Sequence, residues 1–405
     1  MKTENLPTNQ NNPREMIIPL DEALNVHRRL ADLNVWLREW REQDQLLEAR
    51  VASLNPDYPA DVQGGMQIAS LRRRLRMRLV KQPLEISPET IEKLKYSGLR
   101  DYLVSQYAQM NTAERLLWLH NLLFIMTPDI RDLNQKIVNV RTYRSLGQQR
   151  NFLLGGHSGM GKTTYLDWYA SNYIQTVESD RNRVPVIKVD APVNNGSAKP
   201  LFQRMILECG RVFAPRDTDE DLLMKLVLFV QQCGVEMIIV DEIEHIERGA
   251  MRRRLLEISN LTRGTPIVCA SCEPLKWAEG DVEVAGRWND YFELKQYTEN
   301  RLRALLAYVE LLLPFTSESR LGHTEIRLEK SKSVSGPAAI IQNLTGGILR
   351  DIMILLADAS SRAIEQGLPN LTPQLLETAW REIQSRQVTD FLEILKRNEE
   401  RMRSL

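Results

Sequence analysis

Hydrophobic and polar positions divide the chain into three stretches. From about Leu20 to Tyr107 apolar residues recur at helical spacing, with Leu30, Leu33, Trp36, Leu37 and Trp40 on one face. Pro56 and Pro59 interrupt that pattern, and Ser87-Pro88-Glu89-Thr90 has the composition of a new helix start. The Trp36/Trp40 pair, at i and i+4, reads as core, because large aromatics mostly report burial. From Thr112 to about Leu294 short apolar runs alternate with helical segments. Strands are expected at Phe152–Leu154, Val184–Asp190, Met237–Val240, Ile267–Ser271 and Tyr291–Leu294, and strands separated by helices predict a mostly parallel sheet. From Thr298 onward the helical period returns in Leu302, Leu305, Leu306, Val309, Leu312 and Leu313. Thr345-Gly346-Gly347 punctuates it, and Ile348–Ile364 resumes it. The fold class is therefore α/β, with a core at 111–295. A flexible tail (1–15) and an N-terminal helical region (16–110) precede it; a second helical region (296–390) and a helical C-terminal tail (391–405) follow.

Composition narrows the classes. The 405 residues, 43% hydrophobic and 26% charged, suit a globular protein of two or three domains. No run of about eighteen apolar residues occurs, so no membrane span and no membrane partner are expected. Met1 to Glu15 is polar and lacks the apolar centre of a secretory signal, which reads as a cytoplasmic protein. Four cysteines fit a reducing compartment. Cys269 and Cys272 have C-x-x-C spacing, but no second Cys or His pair flanks them, and they read as core residues rather than a zinc site. Formal net charge is zero, so any nucleic-acid contact must come from local patches. One candidate is Arg72, Arg73, Arg74, Arg76, Arg78 and Lys81, set around a Leu71/Leu75/Leu79 stripe. A second is Arg252-Arg253-Arg254.

The chemistry concentrates at Gly156-His157-Ser158-Gly159-Met160-Gly161-Lys162-Thr163, a Gly, four residues, then Gly-Lys-Thr. The apolar segment before it reads as a strand, and Tyr165-Leu166-Asp167-Trp168-Tyr169-Ala170 after it reads as the start of a helix. In that context the loop's backbone N–H groups and the helix N-terminus cradle phosphates. Lys162 would reach the β- and γ-phosphates of ATP and Thr163 would hold Mg2+; the expected nucleotide-binding set runs from Gly156 through Thr164. Met237-Ile238-Ile239-Val240 then ends in Asp241-Glu242, a Walker B pattern. Asp241 would complete the Mg2+ sphere, and Glu242 would orient or deprotonate the attacking water.

These motifs, the strand ending in Ser271-Cys272, Arg287 past the next helix, and Arg350 in Gly347-Ile348-Leu349-Arg350 resemble the AAA+ P-loop NTPases over roughly Asn111–Gln384. Val184-Pro185-Val186-Ile187, the stretch from Cys233-Gly234-Val235-Glu236-Met237 into Walker B, and Ala285-Gly286-Arg287-Trp288 look most like the TniB/TnsC transposition regulators. The resemblance implies a C-terminal helical lid, to which the long N-terminal helical region is an extension. It implies head-to-tail homo-oligomers, which form a helical filament where the rotation does not close. Arg287 would be the arginine finger given to a neighbour's γ-phosphate, Arg350 the lid sensor, and Ser271 or Cys272 the strand-end sensor. Lys199, after the loop Asn194-Asn195-Gly196-Ser197-Ala198, and Thr218, after Arg216-Asp217, match DNA-contacting positions and imply sequence-nonspecific grip on double-stranded DNA. The implied partners are a transposase and a TniQ-like targeting adaptor. An AAA+ helicase loader or replication initiator is the alternative.

Overall fold

The computed structural model describes residues 83–84 and 88–385, apart from 122–123, 146–149, 174, 178–181, 194–196, 247–248, 263, 280, 289 and 328–332, together with the isolated positions 42, 45, 49, 66, 69, 70 and 74. The expected tails, the Trp36/Trp40 pair, the loop tip Asn194-Asn195-Gly196 and every member of the Arg72–Lys81 cluster except Arg74 lie outside the described residues. The chain divides into two compact units, one of 1–85 with 122–295 and one of 86–121 with 296–405.

The first unit is built on five parallel strands: β1 (Phe152–Gly156), β2 (Val186–Asp190), β3 (Met237–Asp241), β4 (Ile267–Ala270) and β5 (Asp290–Leu294). Their order across the sheet is β2-β3-β4-β1-β5. Every residue of β1, β3 and β4 is buried, which is why these strands read as unbroken apolar runs rather than as alternation. Register sets Leu154 against Ala270, Val240 against Cys269 and Asp190 against Asp241. All five C-terminal ends therefore open on the same edge of the sheet, where ligands bind in open α/β folds.

In chain order the helices are α1 (Pro88–Ala108), α2 (Thr112–Asn121), α3 (Pro128–Ser145), α4 (Lys162–Ser171), α5 (Lys199–Glu208) and α6 (Asp219–Gln232). They continue with α7 (Gly249–Leu261), α8 (Pro274–Glu279), α9 (Val282–Arg287), α10 (Glu299–Leu312), α11 (Pro337–Thr345) and α12 (Leu349–Glu365). Helix α4 follows β1 and is anchored by Tyr165, Trp168 and Tyr169, each at most 1% exposed; Phe124 stacks on Trp168 at 5.3 Å. Helices α5 and α6 bury Phe202, Met205, Leu222 and Leu226 in the core beside β2. Full burial of one such side chain contributes roughly 1.5–3 kcal/mol.

The second unit joins segments far apart in sequence. Tyr107 on α1 donates its hydroxyl to Leu311 O (2.8 Å), and Trp118 on α2 donates Nε1 to Leu312 O (2.6 Å) at the end of α10. Helix α1, expected with the N-terminal helical region, thus shares a core with the helices after 296. Gly347 shows why two glycines precede α12: its φ is +78°, and a Cβ there would meet Tyr297 O at 2.1 Å.

Candidate functional site

The loop between β1 and α4 is shaped by glycine. Gly156, Gly159 and Gly161 take φ of +140°, +82° and +90°, a region that L side chains enter at a cost. A Cβ on Gly156 would stand 2.6 Å from Leu294 O of β5, so the loop lies close on the neighbouring strand. Gly161 is the N-cap of α4 and has no side chain to satisfy the helix's first N–H groups, which leaves them to an outside acceptor. Met160 is buried and pins the turn, while His157, Ser158, Thr163 and Thr164 are exposed. Lys162 is 9% exposed, and its ammonium donates to Gly156 O (2.5 Å) and His157 O (3.1 Å).

Asp241 ends β3 and is 1% exposed. Its Oδ1 accepts from the Glu242 N–H at 3.0 Å, and its Oδ2 is buried without a hydrogen-bond partner. A buried, unsatisfied carboxylate oxygen fits a hard divalent cation, and so does the exposed Thr163 hydroxyl at the start of α4. Mg2+ needs only one or two such protein ligands beside phosphate and water. Among the described residues no group of three or more His, Cys, Asp or Glu is arranged to hold a metal without such help. Glu242 is exposed and left-handed at φ 58°, ψ 41°, and its Oε2 lies 3.8 Å from His245 Nε2.

Ser271 and Cys272 differ in placement. Ser271 is buried, and its hydroxyl accepts from the Glu273 N–H (3.1 Å) at the start of α8. Cys272 is exposed, and its Sγ lies 3.9 Å from Lys162 Nζ. The thiol, not the hydroxyl, faces the loop lysine. Cys269 is buried in β4, and burial pushes its thiol far above the ordinary range.

Arg287 is the last residue of α9 and is exposed, beside Gly286, whose Cα faces open space. Arg350, in the first turn of α12, belongs to the second unit and donates Nε to Asp351 Oδ1 at 2.9 Å. Lys199 and Thr218 come together: Lys199 begins α5, and its ammonium donates to Pro215 O (3.3 Å) and Asp217 O (2.6 Å), next to Thr218. Thr218 caps α6 and exchanges bonds with Asp221 in a capping box. The described members of the basic clusters are engaged internally. Arg74 is buried and bridges Glu208 and Val186 O, Arg253 pairs with Asp281 (2.8 Å), Arg254 pairs with Glu220 and Glu257, and Arg252 lies over the Trp277 ring.

One residue in this neighbourhood has no sequence signature. Lys188, in β2, is 2% exposed, with its ammonium 2.9 Å from Asp167 Oδ1, 2.8 Å from Asp190 Oδ1 and 3.6 Å from Asp241 Oδ2. Burial pulls its pKa down, but Asp167, Asp190 and Asp241 together outweigh burial and hold it above the usual lysine value. The ammonium is thus held charged beside the Walker B carboxylate.

Residues 115–269 match the family described as bacterial TniB protein. The solved structures found similar include the ORC2 protein of Aeropyrum pernix in ADPNP–ADP complexes (15% identity, 64% of this chain and 68% of that one, TM-score 0.44). The ORC1 protein of the same organism, in complex with DNA, is 17% identical over 65% of this chain and 68% of its own, with TM-score 0.44. Cdc6p of Pyrobaculum aerophilum is 13% identical over 64% and 67%, with TM-score 0.46. A search of curated proteins gave no significant match. The matched stretch carries the phosphate loop on β1 and the acidic end of β3 within this strand order, so over those residues the chain is similar to TniB.

Proposed function

We propose that this chain is an ATP-dependent transposition regulator that assembles as a helical filament on double-stranded DNA and links a targeting adaptor of the TniQ kind to a transposase. The observation that carries the reading is the glycine-built phosphate loop beside a Walker B carboxylate whose buried oxygen lacks a partner, inside the stretch that matches TniB.

The mechanism follows from these residues. The N–H groups at the start of α4 and the Lys162 ammonium bind phosphate oxygens, with Lys162 exchanging two loop carbonyls for a charged acceptor. Thr163 and Asp241 would hold Mg2+, which when bound neutralises charge on the phosphates. Glu242, exposed at the mouth of the site, takes the proton of the attacking water. Arg287, exposed on α9, serves the site of the next subunit, so that turnover requires assembly. Lys199 and Thr218 meet the DNA backbone, and hydrolysis releases the filament.

Electron microscopy with duplex DNA and a slowly hydrolysed ATP analogue, beside the same mixture without nucleotide, tests the reading. Nucleotide-dependent filaments whose length follows the DNA support it. Small discrete rings indifferent to DNA length would replace it with a loader or initiator.

A further inference from the structure

Lys188 presents a physical problem, because a lysine is almost never fully buried without partners, and an apolar residue of similar volume would serve packing as well. Its partners come from three segments that meet at the nucleotide edge of the sheet: Asp167 from α4, Asp190 from the end of β2 and Asp241 from the end of β3. Three carboxylates surround one ammonium. Two of them, Asp167 and Asp190, stand at hydrogen-bond distance, whereas Asp241 Oδ2 is held off at 3.6 Å. That oxygen is the one left without a hydrogen bond. At this separation and burial an ammonium acts on a carboxylate through its charge, without occupying the lone pair that a cation needs.

We propose that Lys188 tunes the divalent-cation carboxylate: held back by Asp167 and Asp190, its ammonium leaves Oδ2 of Asp241 open, and its charge sets how strongly the site takes Mg2+. The inference rests on the nucleotide and Mg2+ reading above. It assigns opposite effects to two kinds of substitution. Loss of an anchor, as in Asp190→Asn or Asp167→Asn, frees the ammonium to close on Asp241 and compete with the cation. Loss of the ammonium, as in Lys188→Met, removes the competitor and leaves a more negative cluster.

The test is a titration of N-methylanthraniloyl-ATP binding against Mg2+ by fluorescence, with no turnover involved. Half-saturating Mg2+ is expected to rise several-fold in Asp190→Asn and Asp167→Asn and to fall several-fold in Lys188→Met. A merely structural lysine would lower the melting temperature of Lys188→Met and leave half-saturating Mg2+ unchanged in every variant, which overturns the proposal. A shift of all three in the same direction overturns it too. If Lys188→Met fails to fold, the two anchor variants keep the buried amine and decide the matter. A wild-type chain that binds the probe regardless of Mg2+, or not at all, refutes the underlying reading instead.

Discussion

Lys162 has its hydrogen bonds satisfied by the loop it serves, and an entering phosphate must replace Gly156 O and His157 O as acceptor. Lys162→Ala is expected to abolish binding of labelled ATP in an equilibrium titration; unchanged affinity would sink the assignment of the loop. A second residue-scale prediction follows from Cys272, which is exposed 3.9 Å from that ammonium while Cys209, Cys233 and Cys269 are buried. Thiol alkylation is expected to label Cys272 first and to be blocked by bound nucleotide, as read by mass spectrometry of the labelled peptides. Equal labelling with and without nucleotide would remove Cys272 from the site. The loop and Asp241-Glu242 were legible because their chemistry is local: glycines where φ is positive, acids directly after an apolar strand. The choice between Ser271 and Cys272 was not, because at a strand end one residue of register decides which side chain faces the ligand. Lys188 was hidden for a different reason. Its meaning lies in carboxylates at 167, 190 and 241, and no window of sequence contains all three.

At the level of elements, Thr218 holds the start of α6 through its capping box with Asp221. Thr218→Ala is expected to lower stability by about 1 kcal/mol, measured as a shift in the denaturation midpoint. No shift would show that the box does not hold in solution. This loss must be separated from any effect on the proposed DNA contact, because the cap and Lys199, tied to Pro215 O and Asp217 O, form one local structure. Strands β1, β3 and β4 were readable from the chain, since burial on both faces leaves an unbroken apolar run. Helices α1 and α2 show where periodicity stops informing: it reports that a face is buried, not against what. Their partner is the end of α10, about two hundred residues away in sequence.

For the whole molecule, that partnership makes the starting point of a shortened chain decisive. A chain beginning at Thr112 loses α1 and the Tyr107–Leu311 bond, and its second unit is expected to unfold at lower denaturant than that of a chain beginning at Pro83. Equal midpoints would mean that α1 adds nothing to that core. Glu242 brings the longer consequence. It is one of three non-glycine residues with positive φ among the described positions, and a left-handed backbone costs such a residue about 1–2 kcal/mol. Glycine would relieve that cost and give back about 0.4–1 kcal/mol through the freer unfolded chain. Glu242→Gly is therefore expected to be as stable as the parent, or up to about 1.6 kcal/mol more so, where most substitutions lose about 1 kcal/mol. Its hydrolysis should fall to background; a marked drop in melting temperature would contradict the argument. Selection of this protein for heat resistance alone, with no demand for turnover, would then replace Glu242, and on the proposed mechanism the hardiest descendants would be ones that hold ATP without hydrolysing it.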